Sequence, residues 1–143
     1  MKMKERLKNQ KGLTLIELLA VIVILGIIAA IAIPSVGNII NNSKYGAIKS
    51  DALMILNAAK LYEAENGSEP TTGAQVKDYI EGEVTSIDLD DEGTVFVTDG
   101  KFIALSGEGV KDTVKVKFTS ATVSDINIAP KKYTGGTTGV EIK

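Results

Sequence analysis

From Leu18 to Ile33 every position is apolar or Gly. Extending the run back to Leu13 adds Thr14 and Glu17 as its polar interruptions and gives 21 residues. As a helix that is about 30 Å, the thickness of a bilayer hydrocarbon core. Beyond Pro34 the pattern changes. Tyr45, Ile48, Ala52, Ile55, Ala59 and Tyr62 recur at steps of three and four, while Lys44, Ser50, Asn57, Lys60 and Glu63 fall largely on other faces. That is the signature of an amphipathic helix lying on a core. Asn66-Gly67 supplies its stop, with Gly suited to a left-handed cap. One helix from Leu13 to Asn66 is therefore predicted, 54 residues long, or about 80 Å. Gly26, Pro34 and Gly37 weaken it where its two halves meet, through poor propensity and a missing N–H. Asn38, Asn41, Asn42 and Ser43 mark the change to polar surroundings.

After residue 66 the period shortens. Residues 72–80 read as a short helix with Val76, Tyr79 and Ile80 on one side. Strands are predicted over 84–89, 94–98, 101–106, 113–119 and 122–128, with Val140-Glu-Ile as a final edge strand. Val114, Val116 and Phe118 alternate with Lys115 and Lys117, so one face is buried and the other wet. Asp91-Glu92-Gly93, Asp99-Gly100 and Gly107-Glu108-Gly109 read as tight turns, which favours an antiparallel meander. The expected fold class is α+β: a long N-terminal helix packed by its second half on a small antiparallel β-sheet.

Charge is distributed unevenly. The 143 residues carry a formal net charge of −2. Lys2, Lys4, Arg6, Lys8 and Lys11 stand against Glu5 in the first twelve residues, leaving the remainder acidic. A cationic flank ahead of an apolar span keeps the N-terminus cytoplasmic and exports the rest of the chain. Residues 63–99 hold 11 acids and Lys77 as their base, whereas residues 100–143 hold 7 bases and 4 acids. Zero Cys excludes disulfides, thiolate metal sites and a cysteine nucleophile. Zero His removes the commonest general base. No enzyme activity, no cofactor and no nucleic-acid partner are expected.

Three readings compete for the apolar segment: a secretory signal cut after Ala30-Ile31-Ala32, a plain anchor, and a polymerisation helix. The first two leave Glu17 unexplained: a carboxylate in an apolar span costs about 2.5–3.5 kcal/mol at the centre and less near an end, so Glu17 either reaches water at the cytoplasmic interface or meets a cationic partner inside an assembly. Lys11-Gly12-Leu13-Thr14-Leu15-Ile16-Glu17-Leu18 resembles the processing motif of type IV prepilins and pseudopilins. The basic leader, the apolar run, Gly26 and Pro34 extend the similarity over about the first 65 residues, and the general resemblance points to a Gram-positive source.

The resemblance implies cleavage between Gly12 and Leu13 by a prepilin peptidase, N-methylation of Leu13, and a role in assembly for Glu17. Leu13 stands where the family usually has Phe. The implied organisation is a leader over 1–12, a transmembrane and assembly half over 13–34, an amphipathic half over 35–66 and an exported β-rich head over 67–143. The implied product is a helical homopolymer launched from the membrane, a pilus or pilus-like filament at the cell surface. Its implied partners are the peptidase, an assembly ATPase and a platform membrane protein. A pseudopilin for secretion or DNA uptake is the near alternative, and a secreted binding module the distant one. A weaker pattern places Asp88, Asp90, Glu92 and Asp99 at positions of a calcium loop, although an acidic hairpin turn accounts for the same residues.

Overall fold

The structure is a computed structural model describing residues 2–98, 102–136 and 139–143, with side chains from Thr14 onward except Thr98. The chain divides into two compact units, Met1–Ile39 and Ile40–Lys143. A single helix, α1 (Lys2–Asn66), contributes to both.

In the first unit α1 carries on without a break through Gly26 and Pro34. Pro removes one internal hydrogen bond, yet it does not end the helix. Every described side chain from Thr14 to Ile39 is exposed. Leu15, Ile22, Leu25, Ile28 and Ile31 are each more than half accessible.

The second unit is a self-contained α+β domain. Its elements after α1 are a 3-10 turn (Gly73–Tyr79), β1 (Val95–Thr98), β2 (Ile103–Lys111), β3 (Val114–Ala121), α2 (Val123–Ile128) and β4 (Val140–Ile142). The four strands form one sheet in sequence order. Tyr45, Ile48, Ala52, Ile55 and Ala59 are buried on the sheet side of α1, with Tyr62 packed at the margin, as their spacing requires. They meet Leu105, Val114, Val116 and Phe118 from the strands in one core. Gly109 lets helix and sheet approach closely, since a Cβ there would lie 2.3 Å from Ile48 Cγ2. Gly67 closes α1 at φ +66, its N–H donating to the Glu63 carbonyl at 2.8 Å.

Several sequence expectations are corrected. The sheet is mixed rather than antiparallel: β1–β2 and β2–β3 are antiparallel, but β4 runs parallel to β3. The reason is α2, which occupies residues expected to form a strand. A chain that leaves a strand through a helical crossover returns parallel to it. Thr122 caps that helix, with the Asp125 carboxylate accepting from the Thr122 N–H at 2.9 Å. This reciprocal Thr-x-x-Asp box outweighs the β-branched alternation of the segment.

Residues 84–89 form no strand; they meet β2 at an isolated bridge, Ile87 to Gly109, where the Val110 N–H donates to the Ser86 carbonyl at 2.7 Å, and through Lys111, which donates to the Thr85 hydroxyl at 3.2 Å. Gly107-Glu108-Gly109 is no turn either; it lies inside β2, which bulges between Leu105 and Gly107. The β2–β3 turn falls at Asp112, whose φ is 54°. Asp99-Gly100 lies outside the described residues.

Candidate functional site

Helical geometry alone gathers the first set of sequence-derived site residues. Gly12, Leu13 and Glu17 lie within two turns of α1. Positions 13 and 17 share a face one turn apart, about 6 Å along the axis. Glu17 is exposed, on a surface otherwise made of Leu15, Ile16, Leu18, Leu19 and Val21. The side chain of Leu13 is not among those described. Gly26 has no heavy atom within 4 Å of a notional Cβ. The segment is long and apolar enough to cross a membrane by length and composition. Bare in water, it would expose an apolar stripe far larger than soluble surfaces carry, so lipid or other protein must cover it.

The acidic loop behaves as a turn. The Asp88 carboxylate accepts from the Asp90 N–H at 2.9 Å, and that of Asp91 from the Gly93 N–H at 3.2 Å. Asp90 pairs with Lys77, and Glu92 is exposed at the tip. Asp99 lies outside the described residues. Among the described residues no three acidic side chains converge as a metal-holding group. A groove of about 610 Å³ runs beside this loop, lined by Lys77, Thr85, Ser86, Asp88, Asp90 and Glu108 among others.

Sequence reasoning missed one polar site. Asp51 sits on the buried side of α1, 8% exposed. Its Oδ2 accepts from the Ser86 N–H at 3.0 Å, the Ser86 hydroxyl at 2.5 Å and the Thr85 N–H at 3.2 Å. It thereby satisfies the Thr85 and Ser86 N–H groups of a segment that joins β2 only at an isolated bridge. The signal was present, because Asp51 stands three residues after Ile48 and four before Ile55 within the apolar stripe.

Two further locks hold irregular chain to α1. Asn42 accepts from the Tyr133 N–H at 2.8 Å. Lys49 donates to the Ala129 carbonyl at 3.2 Å while lying 5.6 Å above the Tyr45 ring. Burial and the nearby Lys131 charge pull the Lys49 ammonium below the usual lysine range. The Tyr45 hydroxyl is buried with no partner among the described residues, and burial pushes its phenol up.

Comparison with known proteins agrees with the N-terminal motif. A family model described as a prokaryotic N-terminal methylation motif matches residues 7–33. The type II secretion system core protein G of Pseudomonas aeruginosa is 38% identical over 65 residues, 46% of each chain. That of Escherichia coli K12 is 36% identical over 74 residues, 51% of this chain and 50% of the relative. The chain thus matches about half the length of these secretion-system relatives. The type IV major fimbrial protein FimA of Dichelobacter nodosus is 33% identical over 127 residues, 85% of this chain and 74% of the relative. No solved structure matches the chain. An apolar N-terminal helix bearing the methylation motif, a domain whose core is built on that helix's second half, and a similarity reaching into the C-terminal domain together show that the chain belongs to the type IV pilin and pseudopilin family.

Proposed function

We propose that the chain is a structural, non-catalytic subunit of a type IV pilus or pilus-like filament, made as a membrane-anchored precursor. The observation that carries this reading is the contrast between its units. The domain over 40–143 buries its own core, whereas residues 14–39 expose an apolar rod bearing one carboxylate, Glu17. In the membrane lipid covers the rod; in a filament neighbouring rods do.

Cleavage falls between Gly12 and Leu13, and Leu13 becomes the methylated N-terminus. The basic leader keeps that end cytoplasmic while the head is exported. Lipid is about as apolar as Leu, so exchanging lipid for helix contacts gives little net drive. Direction must come from partners: the peptidase, an assembly ATPase and a platform protein. The Leu13 amine of one subunit and Glu17 of its neighbour then set the stagger. Either charge left unpaired in that apolar core is costly, so the pair specifies register more than it adds stability.

Two measurements test this. Mass spectrometry of the mature product should find Leu13 at the N-terminus, carrying a methyl group; a product beginning at Ile33 refutes it. Glu17→Gln should keep the chain in the membrane and abolish surface filaments, and normal filaments would remove the assembly role of that side chain. A pseudopilin of a secretion system is the second reading, favoured by the alignments with core protein G. Long surface filaments containing this chain distinguish the first from the second.

A further inference from the structure

Part of the charge asymmetry read along the sequence becomes, in the folded domain over 40–143, a separation between the two ends of that domain's share of α1; Asp112, paired with Lys44 at 3.0 Å, and the segment held by Asp51 lie outside it. The loop after α2 is tied to the beginning of this domain's share of α1 by the Tyr133 N–H to Asn42 bond, 2.8 Å, and the Lys49 to Ala129 bond, 3.2 Å. The Tyr133 ring also meets the Tyr45 ring at a tilt, with centroids 5.9 Å apart. Exposed Lys131 and Lys132 therefore sit beside Lys49, at the level of residues 42–49.

The opposite pole is built from the last turns of α1 and the 3-10 turn. Asn66 donates to the Tyr79 hydroxyl at 3.0 Å, and the Tyr62 and Tyr79 rings meet edge-on at 5.5 Å. This brings exposed Glu63, Glu65, Glu69 and Asp78 to one end, where the last turn of α1 has no basic residue. The carbonyl end of the helix adds its own partial negative charge. Carboxylates at a helix C-terminus work against the local dipole; Glu65 shares a hydrogen bond with Tyr79, while Glu63, Glu69 and Asp78 are exposed beside it. From Tyr45 to Asn66 are 22 residues of continuous helix, about 30 Å. At physiological ionic strength charges are screened over about 8 Å, so the two poles do not neutralise each other within one domain.

We infer that the acidic pole around Glu65 and Asp78 is a docking surface for the basic pole around Lys131 and Lys132 of a second copy of this chain. The poles lie at opposite ends of one axis, so the contact is heterologous and open. Each copy that docks presents a fresh pole of each sign, and such a contact propagates instead of closing as a dimer. This rests on the filament reading and adds to it a polar contact between heads, independent of the apolar rods.

The chain has no Cys, which makes the test direct. In the full-length chain expressed in cells, Ser68→Cys and Thr134→Cys place one thiol beside each pole, both at exposed positions. Oxidation of the double variant should give a ladder of disulfide-linked multimers in the sheared surface fraction and in membranes, while neither single variant goes beyond a dimer. Adding Lys131→Glu and Lys132→Glu should cut the ladder about tenfold, and adding Glu65→Lys and Asp78→Lys as well should restore it. Filaments without a ladder, or a ladder indifferent to the reversals, overturn the polar contact and leave the filament reading standing. Absence of both filaments and ladder overturns the two together.

Discussion

Removing the Asp51 carboxylate should release residues 84–87 from the helix they cover. Three donors converge on one oxygen, Oδ2: two backbone N–H groups and the Ser86 hydroxyl. Hydrogen bonds to a charged acceptor are each worth about 1.5–3 kcal/mol. Thr85 is exposed and can rehydrate, whereas Ser86 is only 5% exposed and cannot do so without opening the segment. The Ser86 N–H and hydroxyl therefore dominate the loss, and recovering the desolvation of a buried carboxylate offsets part of it. The net cost of Asp51→Ala is about 2–4 kcal/mol. Amide hydrogen exchange at Ser86 should accelerate by roughly 30- to 1,000-fold, at about 1.4 kcal/mol per decade. Asp51→Asn keeps an oxygen that can take the Oδ2 position and loses chiefly the charge assistance, at about 1 kcal/mol. If Asn costs as much as Ala, or if Ala leaves Ser86 exchange within a factor of three or so, the carboxylate does not hold this segment.

Gly109→Ala should destabilise the domain by about 1–3 kcal/mol in chemical denaturation, because the new methyl meets Ile48, Ile87 and Phe118 at the helix–sheet contact. An unchanged midpoint would mean that α1 and β2 have room to separate. The α2 cap gives a pH dependence of known sign. Bonds from the Thr122 hydroxyl and then its backbone N–H hold the Asp125 carboxyl below the usual carboxylate range. A depressed folded pKa means stabilisation is fully present above the unfolded value, about 3.9, and is lost as pH falls through the folded one. Protection of the Ala129 amide, which donates to Asp125, should therefore drop below about pH 4, and Asp125→Asn should flatten that dependence.

The helical half of the molecule was legible because its determinants are local. A period of three to four residues between Tyr45 and Tyr62 is a property of the chain itself, as is a stop at Asn66-Gly67, and the structure places both where the pattern does. The motif around Gly12, Leu13 and Glu17 is likewise written in consecutive residues, so no tertiary contact is needed to recognise it. Turn chemistry was less decisive. Gly107 and Gly109 resembled a hairpin turn, but Gly109 serves close approach to Ile48, a neighbour 61 positions away.

The chain by itself therefore determines its first helix, the membrane-suited stretch within it and the buried stripe of its second half, since each depends on neighbours within a turn or two. The helix over residues 123–128 has a local determinant too, the Thr122-x-x-Asp125 box, masked along the sequence by β-branched alternation; only tertiary structure decided that β4 enters parallel to β3, and that a carboxylate on the buried stripe finds its donors in a loop 34 and 35 positions away. Those outcomes depend on which groups remain unsatisfied once the core has closed. A buried N–H must find an acceptor wherever the fold brings one, and the identity of that acceptor is a property of the folded chain rather than of any window along it.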